Sequence, residues 1–172
     1  NAVDFAAWSG GLPQAGAAHA QAAATLAALR TGDEAKTWRI DLDGRLDVQA
    51  INLARLGGDA ALARRLALAL LERLDRTPVS RETAPERAAL YGAAHLAAGQ
   101  PAAAISVLSP RRRSLPSTSL DVLARAYLAQ GQRDQALAIV KNLREQGYAH
   151  PGFLAFWEDS PLAGATVQGG ST

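Results

Sequence analysis

Cysteine and methionine are both missing from the 172 residues of this chain. Without cysteine there is no disulfide framework and no thiolate chemistry, and cysteine usage does not restrict the cellular compartment. No stretch approaches the roughly 18 consecutive apolar residues of a membrane span, and no basic-then-apolar signal peptide is visible, so we expect no membrane span. Because the chain begins at Asn1 and not at a methionine, we expect a processed chain or a part of a longer one.

Aromatic residues make up only 5% of the chain, and strand-favouring valine, isoleucine and threonine are sparse. Alanine and leucine, which are among the best helix formers, are abundant. The composition and length predict a single all-α domain whose core is built from close helix contacts. Three aromatic residues lie near the C-terminal end, at Phe153, Phe156 and Trp157. We expect them to dock on the last pair of helices, because they would otherwise form an exposed apolar patch.

The charge of the chain is nearly balanced, with a formal net charge of +2. Acidic residues lie among the arginines on most predicted helices, so we expect no specific binding of nucleic acid. The run from Arg111 to Arg113 could meet a phosphate or an acidic partner, since guanidinium groups bind both. It lacks interleaved aromatic residues, however, and a solvated loop over 111–116 is the favoured interpretation.

Glycine and proline fall at the ends of the helical periodicity, where turns are expected. The pattern predicts a lead-in over 1–11, a helical domain over 12–163 and a flexible tail over 164–172. The predicted helices run from Pro13 to Gly32, Asp33 to Leu42, Leu46 to Gly57, Asp59 to Thr77, Pro85 to Gly99, Pro101 to Leu108, Leu120 to Gln130, from the turn at Gly131 to Gly147, and from Pro151 onward.

The segment around 33–45 is the most ambiguous part of the pattern. We predict a helix over 33–42, although its apolar residues also alternate as in a strand. The Asp-Leu-Asp-Gly sequence at 41–44 resembles a fragment of a calcium loop. Arg39 and Ala50 stand where such a loop needs acidic ligands, so a turn or a helix cap is the favoured interpretation.

One spacing of small residues recurs three times along the chain. The copies are Ile51, Ala54, Gly58, Ala63 and Ala67; Gly92, His95, Gly99, Ala104 and Leu108; and Ala124, Tyr127, Gly131, Ala136 and Val140. This spacing predicts a helical hairpin, because the glycine can turn with positive φ and the small residues let two helix backbones approach.

The copy that runs from Leu123 to Leu137 resembles the tetratricopeptide repeat (TPR) family, whose period is about 34 residues. The turn glycines at 58, 99 and 131 are 41 and 32 residues apart, and the first two copies are degenerate. The resemblance covers roughly 46–148 and implies antiparallel helical hairpins stacked as a short right-handed superhelix. The segment after Pro151 would be its C-terminal capping helix. Other α-solenoid families share this architecture.

In the TPR family, the first helix of each pair lines a concave groove that binds peptides or partner segments. The resemblance places nine residues there, namely Val48, Asn52 and Arg55, then Ala89, Ala93 and Leu96, then Asp121, Arg125 and Leu128. Asn52 would bind the main chain of a peptide, and Arg55 and Arg125 its carboxylate. Alternatively, Asp121 and Arg125 form an ordinary exposed i,i+4 pair, and the groove is empty or filled by the chain's own tail.

Residues typical of catalytic or metal sites do not cluster in the sequence. The histidines at 19, 95 and 150 lack metal-ligand spacing, and we expect His95 to line the core or the groove. No nucleophile stands beside a base in a recognisable motif, and there is no glycine-rich phosphate loop. We therefore expect no enzyme activity, no cofactor and no metal.

The resemblance implies a non-enzymatic protein-protein interaction scaffold with a protein or peptide partner. The alanine, leucine and arginine bias is typical of a GC-rich bacterial genome, so we expect part of a larger bacterial protein or assembly. Two alternatives stay open: a helical regulatory or support domain of an enzyme or sensor whose catalytic part lies outside this chain, and a nucleic-acid binder. The compartment, bacterial cytoplasm or periplasm, and the oligomeric state stay undetermined.

The small net charge predicts weak binding of nucleic acid. In a fluorescence-anisotropy titration with a labelled duplex at about 0.15 M salt, we expect no affinity tighter than about 1 μM, because few phosphates would be neutralised. The variant Arg111→Ala/Arg112→Ala/Arg113→Ala should behave like the parent chain. Sub-micromolar binding that this triple variant abolishes would contradict the prediction.

Overall fold

The computed structural model describes residues 41–56, 58–76 and 84–158, and these ranges are helical throughout apart from short turns. The all-α prediction is therefore confirmed for the described residues. The elements are α1 (Asp41–Leu56), α2 (Ala60–Arg76), α3 (Ala84–Ala97), α4 (Pro101–Leu108), a 3-10 helix (Ser109–Ser114), α5 (Ser117–Ala129), α6 (Arg133–Glu145) and α7 (Pro151–Glu158).

Several predictions concern residues outside the described ranges. These are the lead-in over 1–11, the helix that begins at Pro13, the segment 33–40 and the tail over 164–172. They stay predictions.

Four glycines end helices in the same way. Gly58, Gly99, Gly131 and Gly147 have φ between 71° and 78°. At each of them the glycine N–H donates to the carbonyl three residues earlier, and the following N–H donates to the carbonyl five residues before it. This is the Schellman motif, in which glycine adopts the left-handed conformation without a Cβ penalty. The chain then folds back, and α1–α2, α3–α4 and α5–α6 pack as hairpins, as the repeated spacing predicts.

Small buried residues let the paired helices approach each other. The alanines after the three turns, Ala63, Ala104 and Ala136, are all buried. The approach is closest at Gly92 of α3, where an added Cβ would lie 2.5 Å from Cδ1 of the buried Leu108 of α4. A larger residue at this position would push the two helices apart.

The hairpins lie side by side in chain order. Helix α3 contacts α1 and α2 of the preceding hairpin and α5 of the following one, and α4 also contacts α5. The first helices α1, α3 and α5 therefore form a row. One core cluster joins the first two hairpins, and a second runs from Leu108 to Trp157 and joins α4 to α7.

For the segment 41–44 a turn or a helix cap is the interpretation that the sequence favours, and the turn is wrong, because these residues lie within α1 (Asp41–Leu56). Gly44 is a buried residue inside this helix, and a Cβ there would lie 2.5 Å from Cδ1 of Leu90. The glycine thus permits a close contact between α1 and α3, and this tertiary contact overrides the local preference for a turn. The loop predicted over 111–116 is also wrong in its first part, which belongs to the 3-10 helix.

The last helix, α7, is part of the core. Phe153 and Trp157 are 0% and 1% exposed, and the Phe153 ring meets Tyr148 edge-on with a centroid separation of 5.1 Å. Phe156 is half-buried, and its ring packs edge-on against Trp157 at 4.9 Å. The predicted docking on the last helical pair is confirmed for Phe153 and Trp157.

Removal of the Phe153 side chain should destabilise the chain by about 3–5 kcal/mol, the usual range for a buried phenylalanine changed to alanine. The neighbouring Leu154→Ala is a matched control, because Leu154 is 36% exposed and its loss should change the free energy of unfolding by less than about 0.5 kcal/mol. Urea denaturation of both variants measures the difference. Equal stabilities of the two variants would show that α7 is not part of the folded core.

Candidate functional site

The first-helix surface is defined here as the nine sequence-predicted residues of α1, α3 and α5, namely Val48, Asn52, Arg55, Ala89, Ala93, Leu96, Asp121, Arg125 and Leu128. Asp121 is buried and Arg55 is exposed, while the other seven are partly buried. Helix α3, which carries two alanines of this set, separates the α1 residues from the α5 residues in the row of first helices.

Asp121 accepts three side-chain hydrogen bonds. Its Oδ1 accepts a hydrogen bond from Arg125 Nε at 3.0 Å, and its Oδ2 accepts one from Arg125 Nη2 at 2.8 Å. Oδ1 also accepts the indole N–H of Trp157 at 3.0 Å. The side chains of Asp121 and Arg125 are only 11% and 16% exposed. The alternative of an i,i+4 pair between Asp121 and Arg125 is therefore confirmed, and only its exposed setting is wrong, because α7 contacts the pair.

Arg125 is held from a second side by an aromatic ring. Its guanidinium carbon lies 4.2 Å from the centroid of the half-buried Phe156 ring, within the range of a cation-π contact. Two hydrogen bonds to a carboxylate and one ring face restrict the guanidinium to a single orientation. Arg125 is therefore a fixed positive charge at the junction of α5 and α7.

Arg55 of α1 lies within electrostatic reach of Asp121 and Arg125, although α3 stands between α1 and α5 in the row of first helices. Burial by surrounding protein atoms and then repulsion from Arg125 lower the pKa of the Arg55 guanidinium, and attraction to Asp121 partly opposes them. The residue is nevertheless exposed to solvent. Arg55 thus combines exposure to solvent with a guanidinium that lies within electrostatic reach of both Asp121 and Arg125.

The charges of Arg55, Arg125 and Asp121 do not cancel. Two guanidinium groups stand near one carboxylate, and that carboxylate is bonded to Arg125. Among the described residues, no acidic side chain forms an ion pair with Arg55. The site therefore carries an excess positive charge in a partly desolvated position, where a carboxylate or phosphate of a ligand would be attracted.

The structure thus brings together three of the sequence-predicted site residues, Arg55, Asp121 and Arg125. Leu128 instead packs against the C-terminal core cluster. Asn52, Ala93 and Leu96 lie partly exposed on the same row of helices, and their contact with a ligand stays a prediction. The sequence analysis missed the contribution of Phe156 and Trp157, which it assigned to a cap alone. Their 31- to 36-residue separation from α5 in the chain hides the contacts.

Other candidates singled out in the sequence do not form a second site. His95 is partly buried, stacks on Tyr91 at 6.0 Å and shares a 2.8 Å hydrogen bond with Gln100 Oε1. No group of three or more potential metal ligands occurs in the described ranges. Within the same ranges, no helix has the length and apolarity needed to cross a membrane.

The arginine run lies on the 3-10 helix, and all three of its side chains are exposed. With three residues per turn, consecutive side chains leave the helix about 120° apart, so the three arginines do not share one face of it. The surrounding sequence is more basic than the net charge suggests, because Asp121 is the only acidic residue between Glu86 and Asp134. The expectation that acidic residues lie among the arginines is therefore wrong for this stretch.

Comparison of the whole chain with protein-family profiles, curated proteins and solved structures gives no match. The function therefore has to be argued from the chemistry of the chain itself.

The charge of Arg55 should not stabilise the fold. A cation whose folded-state pKa lies below its unfolded value destabilises the folded chain at every pH where it is protonated, including pH 7. We expect Arg55→Gln to leave the melting temperature unchanged or to raise it, as measured by circular dichroism at pH 7. Arg64→Gln, at an exposed position of α2, is the matched control.

Asp121→Asn should act in the opposite direction in the same experiment. It removes the carboxylate that is bonded to Arg125 and Trp157, and the loss of hydrogen bonds to a charged group should lower the stability by about 1.5–3 kcal/mol. A fall in melting temperature for Arg55→Gln comparable to that for Asp121→Asn would contradict the charge assignment.

Proposed function

We propose that this chain is a non-enzymatic scaffold that binds an acidic peptide or an acidic segment of a partner protein on its first-helix surface. The observation that carries the proposal is the convergence of Arg55 and Arg125 on one carboxylate. The two arginines are 70 positions apart in the chain, and only the row of first helices brings them together. An excess of positive charge on this surface favours a partner of negative charge.

Arg55 is the residue best suited to contact the ligand. It is exposed, and no acidic side chain of the described residues pairs with it, whereas Arg125 is already held by Asp121 and Phe156. A ligand carboxylate could accept two parallel hydrogen bonds from the Arg55 guanidinium and would at the same time relieve its repulsion from Arg125. Asn52 lies one helical turn before Arg55, where its amide could bond the main chain of an extended peptide.

We also propose that the hairpins belong to a TPR-type repeat array. Support comes from the three copies of one spacing. Each copy has a positive-φ glycine at its turn and a buried alanine five residues after that glycine. In such arrays the first helix of each pair lines a concave face that binds the partner, and Arg55 and Arg125 both lie on first helices.

Peptide selection tests the proposed function. Random 12-residue peptides are selected on the immobilised 172-residue chain, and the best binder is titrated against single variants by isothermal calorimetry. We expect the selected peptides to be rich in aspartate and glutamate, and Arg55→Ala to weaken binding by at least about 1 kcal/mol, or about fivefold. Arg64→Ala should bind like the parent chain, since Arg64 lies on α2 outside the first-helix surface.

Two outcomes would contradict the proposal. Selected peptides without an excess of acidic residues would show that the positive charge does not recruit the ligand. Normal binding by Arg55→Ala would place the binding site elsewhere, on the loops or on the second helices.

A further inference from the structure

We infer that the C-terminal helix α7 forms the second half of this binding surface, so that the ligand carries an apolar side chain close to its acidic group. Phe156 is assigned the apolar contact and Trp157 is assigned a positioning role through Asp121. The inference rests on the proposed function, because it concerns the same surface.

The position of Phe156 sets it apart from the other aromatic residues of α7. Phe153 and Trp157 are fully buried in the C-terminal core, whereas Phe156 is half-buried and keeps part of its ring at the surface. One side of this ring lies 4.2 Å from the Arg125 guanidinium carbon, and its neighbour Trp157 meets it edge-on at 4.9 Å. The ring is thus held in place by two contacts while it is still accessible.

Phe156 and Arg55 are both neighbours of Arg125. Phe156 contacts the Arg125 guanidinium directly, and Arg55 lies close enough for the Arg125 charge to perturb it. A ligand whose carboxylate binds Arg55 therefore has an aromatic surface within reach of its adjacent residues. Burial of an apolar ligand side chain against this ring adds a contact that an acidic group alone does not make.

Trp157 limits the movement of the charged pair. Its side chain is 1% exposed, and its one hydrogen-bond donor is used on Asp121 Oδ1, the oxygen that also accepts from Arg125 Nε. This bond ties the carboxylate on α5 to the buried core of α7. Because Trp157 holds Asp121 and Asp121 holds Arg125, the positive charge of Arg125 is kept close to Arg55.

The ligand class that follows is an acidic residue with an aromatic or branched aliphatic residue beside it. A purely acidic segment would use only Arg55, and a purely apolar segment would leave the excess charge unmatched. Helix α7 therefore adds to the first-helix surface a preference for ligands in which an acidic residue and an apolar residue lie a constant distance apart.

The test repeats the peptide selection on the full 172-residue chain and on Phe156→Ala, with Leu154→Ala as the matched control at an exposed position of the same helix. We expect the parent chain and the control to select an acidic and an apolar residue at a constant spacing. Phe156→Ala should still select acidic residues and should lose the apolar preference. If Phe156→Ala retains both preferences, the role of α7 is overturned, and the proposed function stands as long as Arg55→Ala still weakens binding.

The positioning role of Trp157 needs a measurement that a general loss of stability would not change. The ratio of affinities for a selected peptide and for its analogue with glutamine in place of glutamate reports how well the site discriminates charge. Trp157→Phe keeps an aromatic ring in the core and removes the N–H donor together with part of the indole. The lost volume lowers the stability, but the ratio compares two ligands on the same variant and should still fall at least about threefold relative to the parent chain. An unchanged ratio would show that Trp157 only fills the core.

Discussion

At Gly92 the backbone of α3 comes so close to Leu108 of α4 that no side-chain carbon fits between them. The same close approach recurs at Gly44 against Leu90 and at the buried alanines of each hairpin. Close packing of this kind replaces the large aromatic core that the chain lacks, because many short contacts between adjacent backbones supply the dispersion energy. It also keeps the three first helices near enough for a long side chain on α1 to influence one on α5.

The carboxylate of Asp121 connects this row of helices to the C-terminal end. A buried charge is costly unless it is paired and hydrogen-bonded, and Asp121 receives three donors from two elements of the chain. Two of these donors come from Arg125, one turn along the same helix, and the third comes from Trp157 of α7. A local ion pair and a distant aromatic helix thereby depend on one another.

The proposed binding role follows from what this arrangement leaves unbalanced. The negative charge of Asp121 offsets the positive charge of Arg125. Arg55 lies near the same carboxylate, whose two oxygens already accept hydrogen bonds from other donors. A charge that the fold does not stabilise is typical of a residue retained for binding, where stability and function are in conflict. Phe156 is a similar case among the apolar residues. Its side chain stays partly at the surface, whereas those of its aromatic neighbours Phe153 and Trp157 are buried.

The local elements of this chain could be predicted from the sequence, because they depend on local preferences. Gly58, Gly99 and Gly131 end helices, and the helical class follows from alanine and leucine. Asp59, predicted to open α2, accepts the Leu62 N–H with its Oδ1. The TPR resemblance also predicts that Arg55 and Arg125 share one surface, which stays a prediction, and it gives none of the contacts that Arg125 makes. Gly44 was misassigned to a turn, since the contact with Leu90 that explains it lies 46 residues away. The bonds from Trp157 to Asp121 and from Phe156 to Arg125 were likewise decided only by the tertiary structure, because pairwise contacts between distant segments depend on how helices pack and leave no periodic signal in the sequence.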